Sequence, residues 1–381
     1  MKYRKMPYLD DKLSTLGFGC MRLPKNKEGK IDEEQALAML HYAYENGVNY
    51  YDTAWSYHNG ESEPLLGKFL SQIERNKVFI ATKLPCWLVK NRADMDNFLE
   101  KQMEHLQTSY IDYYLLHSLN QKSWMEMKRL GVIDFLDKAK MEGKVRHLGF
   151  SFHDSYPAFK KILLAYQWDF CQFLLNYLDT NYQAGMNGYK LAGQNGTGIV
   201  AMEPLRGGKL AGHLPENVAA VWKKHNIRLS PVKFALRWVW NLEGCQVLLS
   251  GMSSLEQVKE NVHYANICKA NVLDAKTLKI YKEVRREFLK RIPVMCCECR
   301  YCLPCPQKVA IPDIFGIYND SIMFNEKDRH QKEYELFIPD ESKADKCIAC
   351  GACVSKCPRH INIPEEVKKI AEYFAECKVI D

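Results

Sequence analysis

Eight short apolar segments of β-strand composition lie between residues 16 and 251, and longer segments of helical period separate them. The strand segments are LGFGC (16–20), VNYYDT (48–53), VFIATK (78–83), IDYYLLH (111–117), VRHLGFS (145–151), FCQFLL (170–175), GIVAMEP (198–204) and CQVLLSG (245–251). Strands that alternate with helices are typical of a parallel sheet. Eight units in about 250 residues favour a closed (β/α)8 TIM barrel over a doubly wound sheet, which usually has about six strands. We therefore predict an α/β fold of this kind.

Helical stretches fill the gaps between these segments. They are predicted over 32–46, 93–106, 125–142 and 230–240. Asp32 is a suitable N-cap for the first, and Gly47 a suitable stop. A last helical segment, 275–291, ends before Pro293. We predict a domain boundary there, with the barrel over 1–290 and a second domain over 291–381.

The composition of the 381-residue chain excludes several classes of protein. With 47% hydrophobic and 26% charged residues the chain has enough apolar surface to fold, which excludes general disorder. The net charge of +7 is spread along the chain, so we expect no nucleic-acid partner. No apolar run approaches the roughly 18 residues of a membrane span, and the start MKYRKMPYLDDKL lacks a signal-peptide core. We expect a cytoplasmic protein with no membrane partner.

Cysteine is concentrated in the second predicted domain. Nine of the 15 cysteines fall between residues 296 and 357. In a reducing compartment such a cluster indicates metal ligation and not disulfides. No chemistry is expected of the six dispersed ones, Cys20, Cys86, Cys171, Cys245, Cys268 and Cys377.

The spacing of these cysteines identifies the kind of metal site. One run reads Cys347-x2-Cys350-x2-Cys353-x3-Cys357-Pro358, and a shorter variant reads Cys296-x2-Cys299-x2-Cys302-x2-Cys305-Pro306. Over about 294–367 this pattern resembles the bacterial two-cluster ferredoxins. The resemblance implies a small ferredoxin-like domain with two [4Fe-4S] clusters. Structural zinc is the alternative, but its CxxC pairs are usually separated by a long loop.

The same resemblance implies that the last cysteine of each run ligates the other cluster. One cluster then takes Cys296, Cys299, Cys302 and Cys357, and the other takes Cys347, Cys350, Cys353 and Cys305. Cys297 is left over, or replaces its neighbour Cys296. The segment 305–313 also repeats at 357–365 with the same Cys-Pro and Ile-Pro spacing, which suggests a duplicated half-unit.

Polar residues stand at the carboxyl ends of several predicted strands. They are Asp52, Lys83, His117, Ser151 and Glu203. The chemistry of a parallel barrel lies at this end of its strands, and packing alone does not explain such a series. The sequence therefore predicts an active site there.

Four segments of the predicted barrel combine these residues with glycines and aromatic residues at defined spacings. They are Gly17-Phe18-Gly19-Cys20-Met21-Arg22-Leu23, Asp52-Thr53-Ala54-x-x-Tyr57-x-x-Gly60-x-Ser62-Glu63, Leu106-x-x-Ser109-x-x-Asp112-x-x-x-Leu116-His117 and Gly143-Lys144-Val145-Arg146-x-Leu148-Gly149-x-Ser151. In order and spacing they resemble the aldo-keto reductases over about residues 13–263.

That resemblance implies a catalytic tetrad of Asp52, Tyr57, Lys83 and His117. Reduction of a carbonyl group needs a proton donor at the developing alkoxide, and a free tyrosine has a pKa near 10. A Lys83 ammonium beside Tyr57 would favour the phenolate, with Asp52 holding the lysine charged. His117 would hydrogen-bond the carbonyl oxygen.

The resemblance also implies a nicotinamide dinucleotide, NAD or NADP, bound without a GxGxxG loop. Ser151 and Gln172 match residues that hold the carboxamide, and Gly207 with Gly208 matches the loop that approaches the pyrophosphate. Arg206 and Lys209 either contact phosphate or are solvated charges. The segment around the adenosine phosphate and adenine contributes Gly251, Ser253, Gln257 and Asn261.

Three positions depart from the family pattern. Phe152 replaces an asparagine beside the carboxamide, and Met202 replaces an aromatic residue that stacks on the nicotinamide. The loop 250–254 lacks the lysine or arginine that pairs with the 2'-phosphate of NADP. We therefore expect comparable use of NAD and NADP.

Taken together, these features predict an oxidoreductase that reduces a small carbonyl compound, or oxidises an alcohol, with the iron-sulfur domain as a structural or electron-carrying part. An alternative is an iron-sulfur electron-transfer protein whose barrel exchanges electrons with a redox protein partner, through a bound flavin. A regulatory or iron-sensing module is a third hypothesis, against which the intact tetrad argues. Trp55, Trp87 and Trp124 either line the substrate mouth or pack within loops.

Overall fold

A computed structural model of the chain describes residues 1–375; residues 376–381, which include Cys377 and the end of the predicted second domain, lie outside it. The chain divides into two compact units. The first consists of residues 1–211 and 229–274, and the second of residues 212–228 and the chain from 275 onward. The boundary expected near residue 290 stays a prediction.

All eight strand segments predicted from the sequence form strands of one closed, parallel barrel. Each strand pairs with the next, and the last pairs with the first. A short antiparallel pair, β1 and β2, precedes them. The strands are β1 (Tyr3–Lys5), β2 (Lys12–Ser14), β3 (Leu16–Gly19), β4 (Tyr50–Asp52), β5 (Phe79–Leu84), β6 (Ile111–Leu119), β7 (Val145–Phe152), β8 (Phe170–Leu174), β9 (Gly198–Met202) and β10 (Val247–Gly251).

Helices follow the barrel strands, as expected for β/α units. In chain order the helices are α1 (Glu33–Glu45), α2 (Ser62–Leu70), α3 (Arg92–His105), α4 (Gln121–Arg129), α5 (Val132–Met141), α6 (Tyr156–Leu163), α7 (Gly185–Gln194), α8 (Glu216–Lys224), α9 (Pro231–Trp240), α10 (Leu255–Ile267), α11 (Ala275–Leu289), α12 (Ile311–Phe324), α13 (Lys327–Phe337) and α14 (Ile363–Ala375). Asp32 caps α1 as predicted, because its carboxylate accepts the Gln35 backbone N–H at 3.1 Å.

The prediction of a single helix over 125–142 is wrong, because two helices, α4 and α5, occupy this region. Gly131 separates them with a φ of 78°, in the left-handed region that glycine adopts without a steric penalty. An α-helix cannot continue through that conformation.

The amino-terminal hairpin β1–β2 covers one end of the barrel. Met6, in its turn, and Leu13, in β2, are buried and pack in one cluster with the inward-facing Tyr50, Tyr113 and Phe170. The sequence analysis did not predict this hairpin, since three-residue strands leave little periodic signal.

Strand β6 is held at its amino-terminal end by a buried carboxylate. Asp112 accepts hydrogen bonds from Arg75 at 2.6 Å and from Arg146 at 3.0 Å, and both guanidinium groups lie over the ring of Tyr110. Two arginines on one buried carboxylate fix the register of neighbouring elements at the end away from the predicted chemistry.

The second unit contains α8 and α11–α14, with the cysteine runs in irregular segments between them. Its core is formed by side chains such as Val309, Ile314 and Val367, against which several cysteines pack. The repeat seen in the sequence has a structural counterpart. Helix α12 begins at Ile311 and α14 at Ile363, the Ile-Pro position of each copy, where proline fits the first helical turn.

Candidate active site

The four residues of the predicted tetrad meet at the carboxyl end of three neighbouring strands. Asp52 is the last residue of β4, Lys83 lies near the end of β5, and His117 lies near the end of β6. Tyr57 follows β4 in a turn. Parallel pairing of β4 with β5 and of β5 with β6 brings these side chains together.

The Lys83 ammonium is the centre of this group and is buried. It donates hydrogen bonds to Asp52 Oδ1 at 2.7 Å and to the Thr53 carbonyl oxygen at 2.6 Å. A longer contact of 3.5 Å reaches the hydroxyl of Tyr57. Burial lowers the pKa of Lys83, but the oxygens of Asp52 and Tyr57 outweigh it and the net pKa is raised. Lys83 is therefore protonated.

Burial also controls the ionisation of Tyr57. It raises the pKa of the hydroxyl above 10, and the positive charge of Lys83 acts in the opposite direction without reversing the shift. From the sequence we expect only the effect of Lys83, which lowers the pKa of Tyr57. Tyr57 is consequently neutral at physiological pH, which is the state that donates a proton.

His117 is neutral for the same reason. Burial, with smaller contributions from Lys83 and His153, lowers its pKa to about 2. Its Nδ1 atom is buried and has no hydrogen-bond partner among the described residues. The ring lies 5.9 Å from that of Tyr57 and 5.0 Å from that of Trp87, measured between centroids. A neutral imidazole here can donate a hydrogen bond to a substrate oxygen.

Only one of the three tryptophans considered for the mouth contacts the tetrad. Trp87 packs on His117 and is 53% exposed, so it lies at the opening. Trp55 stacks on His105, and Trp124 is buried against Trp168. Trp124 lies on α4 and therefore belongs to the packing of that helix and not to the mouth.

Several residues of the Asp52–Glu63 signature hold the loop that presents Tyr57. The hydroxyls of Thr53 and Ser62, both buried, are 2.8 Å apart and close the loop at its base. His58 accepts the Leu23 backbone N–H at 3.2 Å, with its own backbone in the left-handed region at φ 51°. The loop is thus tied to the segment after β3, which positions the tyrosine.

A buried network behind Lys83 was not predicted as part of the site. The Glu63 carboxylate accepts hydrogen bonds from Thr82 at 2.6 Å and from Gln102 at 2.7 Å. The Gln102 amide also donates to the carbonyl oxygen of Lys83 at 3.0 Å and accepts from the Tyr114 hydroxyl. Gln102 lies on α3, and nothing in the local sequence distinguishes it from a glutamine on the protein surface.

Ser151 and Gln172 pair across strands β7 and β8 and are both buried. The Ser151 hydroxyl oxygen accepts the Ser118 backbone N–H at 2.7 Å. Gln172 makes only a 3.9 Å contact from its amide nitrogen to Met202 sulfur, and its carbonyl oxygen has no partner among residues 1–375. A buried amide oxygen without a donor fits a ligand that brings an N–H group.

A cavity of about 420 Å³ lies in the same unit, beside the ends of β9 and β10. Six predicted cofactor residues line it: Gly207, Gly208, Gly251, Ser253, Gln257 and Asn261. Gly207 and Gly208 have φ values of 65° and 91°, so this loop requires glycine. Arg206 does not line the cavity and forms an ion pair of 3.0 Å with Asp179.

Three charged residues that were not assigned to the cofactor from the sequence also line this cavity. They are Arg22, from the segment after β3, Glu203, which follows β9, and Glu260, on α10. Arg22 was quoted only as part of the opening motif. Its position depends on how two distant loops meet, which the sequence does not reveal.

The cysteines predicted for one cluster surround a common space in the second unit. Cys296, Cys299, Cys302 and Cys357 line one small cavity, together with Cys297. Cys296 is half-buried and accepts the Glu298 backbone N–H, whereas Cys297 is exposed. The run 296–302 thus meets a cysteine from the other run.

The second predicted set is also brought together. Burial raises the pKa of Cys353, and the neighbouring thiols of Cys305, Cys347 and Cys350 add to the effect. Among residues 1–375, no three Cys, His, Asp or Glu side chains converge on the position of one metal ion. Thiols that surround a space, with apolar side chains behind them, fit the donor set of a cluster.

The family of the chain follows from comparison with known proteins. A model described as the aldo/keto reductase family matches residues 15–285, and one described as a 4Fe-4S dicluster domain matches residues 295–361. The chain belongs to the aldo/keto reductase family and carries a carboxyl-terminal 4Fe-4S domain. It is an NAD(P)-dependent oxidoreductase.

Named relatives share the barrel region. The chain is 27% identical over 296 residues to an L-galactose dehydrogenase of Arabidopsis thaliana, covering 70% of this chain and 89% of that protein. It is 25% identical over 326 residues to an NADH-specific methylglyoxal reductase of Escherichia coli, covering 72% and 96%. A solved structure of an aldo-keto reductase from Bacillus halodurans in its holo form matches with a TM-score of 0.63 at 25% identity, covering 74% and 96%.

Within residues 1–375, none of the helices combines the length and the apolar character that crossing a bilayer requires.

Proposed function

We propose that the barrel reduces the carbonyl group of a small aldehyde or ketone, and in reverse oxidises the alcohol, with Tyr57 as the proton donor. One observation carries the proposal: the buried Lys83 ammonium contacts both Asp52 and the Tyr57 hydroxyl, with His117 beside them. Membership of the aldo/keto reductase family supports it.

Each side chain of the tetrad has a role that follows from its charge. The neutral Tyr57 donates its proton to the carbonyl oxygen, and the Lys83 ammonium 3.5 Å away stabilises the resulting phenolate. Asp52 keeps the lysine in place and charged. His117, held neutral by burial, donates a hydrogen bond that orients the carbonyl group and stabilises its developing negative charge.

A bound nicotinamide supplies the hydride in this family of reactions. The residues present fit such a group, because the unpartnered Gln172 oxygen is available to a carboxamide N–H. Gly207 and the residues around Gly251 line a cavity with room for the phosphates and adenosine. Trp87 packs on His117 at the opening and shields the substrate carbonyl from water.

The cysteines are proposed to ligate two [4Fe-4S] clusters in the crossed arrangement. Cys296, Cys299, Cys302 and Cys357 hold one cluster, and Cys305, Cys347, Cys350 and Cys353 hold the other. The shared cavity supports the first set, and the proximity of four thiols supports the second. The cytoplasmic location expected from the sequence stays a prediction.

The catalytic proposal is tested by replacing Tyr57 with Phe. This removes the proton donor and leaves the ring in place, so we expect kcat to fall by at least about 100-fold. Cofactor affinity, measured by fluorescence titration, should stay near that of the wild type. Tyr8→Phe serves as the matched control, because it makes the same change at a tyrosine that is 94% exposed and lies outside the tetrad. Wild-type turnover in Tyr57→Phe would contradict the proposed mechanism.

A further inference from the structure

Arg22 is the one cation that lines the cavity of about 420 Å³ within the described residues. It also lines an adjoining open cavity of about 530 Å³, and Ser253 borders both. These residues come from opposite sides of the barrel closure, where β3 pairs with β10. A positive charge therefore lies at the segment 251–253, although that segment has no basic residue of its own.

The position of Arg22 depends on the glycine at 251. A Cβ atom at Gly251 would lie 3.1 Å from both Cγ and Cδ of Arg22, closer than ordinary van der Waals contact. The aliphatic part of the arginine therefore packs directly on the backbone of β10. A side chain at position 251 would therefore displace Arg22 by a few tenths of an ångström.

The guanidinium group of Arg22 is available for a ligand. No carboxylate of residues 1–375 forms an ion pair with it, whereas Arg206 is paired with Asp179. Glu203 and Glu260 also line the cavity, and one oxygen of Glu260 accepts a hydrogen bond from the Tyr264 hydroxyl at 2.7 Å. Neither carboxylate forms an ion pair with Arg22, so its guanidinium donors remain open to a ligand.

We propose that Arg22 binds the 2'-phosphate of NADP(H) and gives the enzyme a preference for this cofactor over NAD(H). The inference rests on the proposed function, in which Gly251 and Ser253 border the adenosine. Arginine presents a planar set of donors that matches a phosphate group. Helix α10 begins at Leu255, so the positive end of its dipole adds to the same potential. This replaces the comparable use of both cofactors expected from loop 250–254 alone.

The test is a calorimetric titration of the full chain with two probes, 2',5'-ADP and 5'-AMP, which differ in the 2'-phosphate. In Arg22→Gln we expect the affinity for 2',5'-ADP to fall about 10- to 100-fold and that for 5'-AMP to change less than about twofold. Lys27→Gln is the matched control. Lys27 is a cation in the same segment as Arg22, but it lines neither cavity. It should leave both affinities unchanged.

A second variant tests the packing argument. Gly251→Ala keeps the arginine but displaces it, and we expect the same selective loss for 2',5'-ADP. Equal losses for both probes in Arg22→Gln, or no loss, would overturn the assignment of Arg22. Wild-type protein that binds neither probe would contradict the proposed function itself, so the two failures are distinguishable.

Discussion

Tyr57 and His117 lie with their rings 5.9 Å apart, and both are neutral near pH 7. Burial has opposite effects on their pKa values, raising that of the phenol and lowering that of the imidazole, because it disfavours the charged form of each. Asp52 and Tyr57 together keep Lys83 charged against the effect of burial on its pKa. The centre of the site therefore holds one ion pair and two neutral donors, an arrangement suited to protonating a carbonyl oxygen.

Gln172 offers a prediction at this scale. A buried polar atom without a partner costs about 1–3 kcal/mol, and the carbonyl oxygen of Gln172 is one. Replacing Gln172 with Leu should therefore leave the melting temperature equal to or above that of the wild type. The Kd for nicotinamide cofactor should rise by about tenfold. Thermal unfolding and fluorescence titration measure the two effects.

Gln102 provides the matched control for that experiment. It is equally buried but hydrogen-bonds Glu63, Thr82, the Lys83 carbonyl oxygen and Tyr114. Gln102→Leu should destabilise the fold by about 1–3 kcal/mol, because it removes one donor of the buried Glu63 carboxylate and the partner of the Lys83 carbonyl oxygen and the Tyr114 hydroxyl. A loss of stability in Gln172→Leu as large as that in Gln102→Leu would show that Gln172 is a structural residue.

At the level of elements, the barrel strands could be predicted because each is an apolar run bounded by helical segments. The two-strand hairpin could not, because its strands have three residues each. The break between α4 and α5 rests on the backbone of a single residue, Gly131. The strand ends indicated Asp52, Lys83 and His117, and the resemblance to the aldo-keto reductases added Tyr57. The roles of Arg22 and Gln102 arise from contacts between distant elements, for which one sequence holds no signal.

The proposed crossed ligation, in which each cluster takes one cysteine from the other run, leads to a prediction. Cys357 adjoins the 347–353 run in sequence but lines the cavity of the 296–302 run. In Cys357→Ala we expect iron to fall by about four atoms per chain, with loss of the cluster that Cys299 also holds. Electron paramagnetic resonance of the anaerobic protein should match that of Cys299→Ala. A spectrum that matches Cys350→Ala would contradict the crossed arrangement.

On the scale of the whole molecule, the nicotinamide proposed for the barrel and the clusters proposed for the second unit are redox groups of different kinds. A nicotinamide transfers two electrons together as hydride, whereas each iron-sulfur cluster transfers one. Exchange between them needs a group that handles both, such as a flavin. The family models that match the chain describe a reductase barrel and a cluster domain.

We therefore predict that nicotinamide alone does not reduce the clusters during turnover. Anaerobic, cluster-loaded and flavin-free protein mixed with NADPH should keep its cluster absorbance and show no new paramagnetic signal on the timescale of kcat. The same sample mixed with dithionite is the positive control. Rapid reduction by NADPH would favour the electron-transfer alternative over a simple reductase.

Strand β6 carries Asp112 near one end and His117 near the other. Asp112 has a structural role, and His117 belongs to the proposed tetrad. Asp112, bound by two arginines, preserves the barrel whether or not any reaction takes place. A descendant that lost Tyr57 would keep Asp112 and much of the recognisable motif. In a genome, the motif would therefore also mark pseudoenzymes, and only Lys83 and the three residues around it would distinguish a working catalyst from its inactive paralogue.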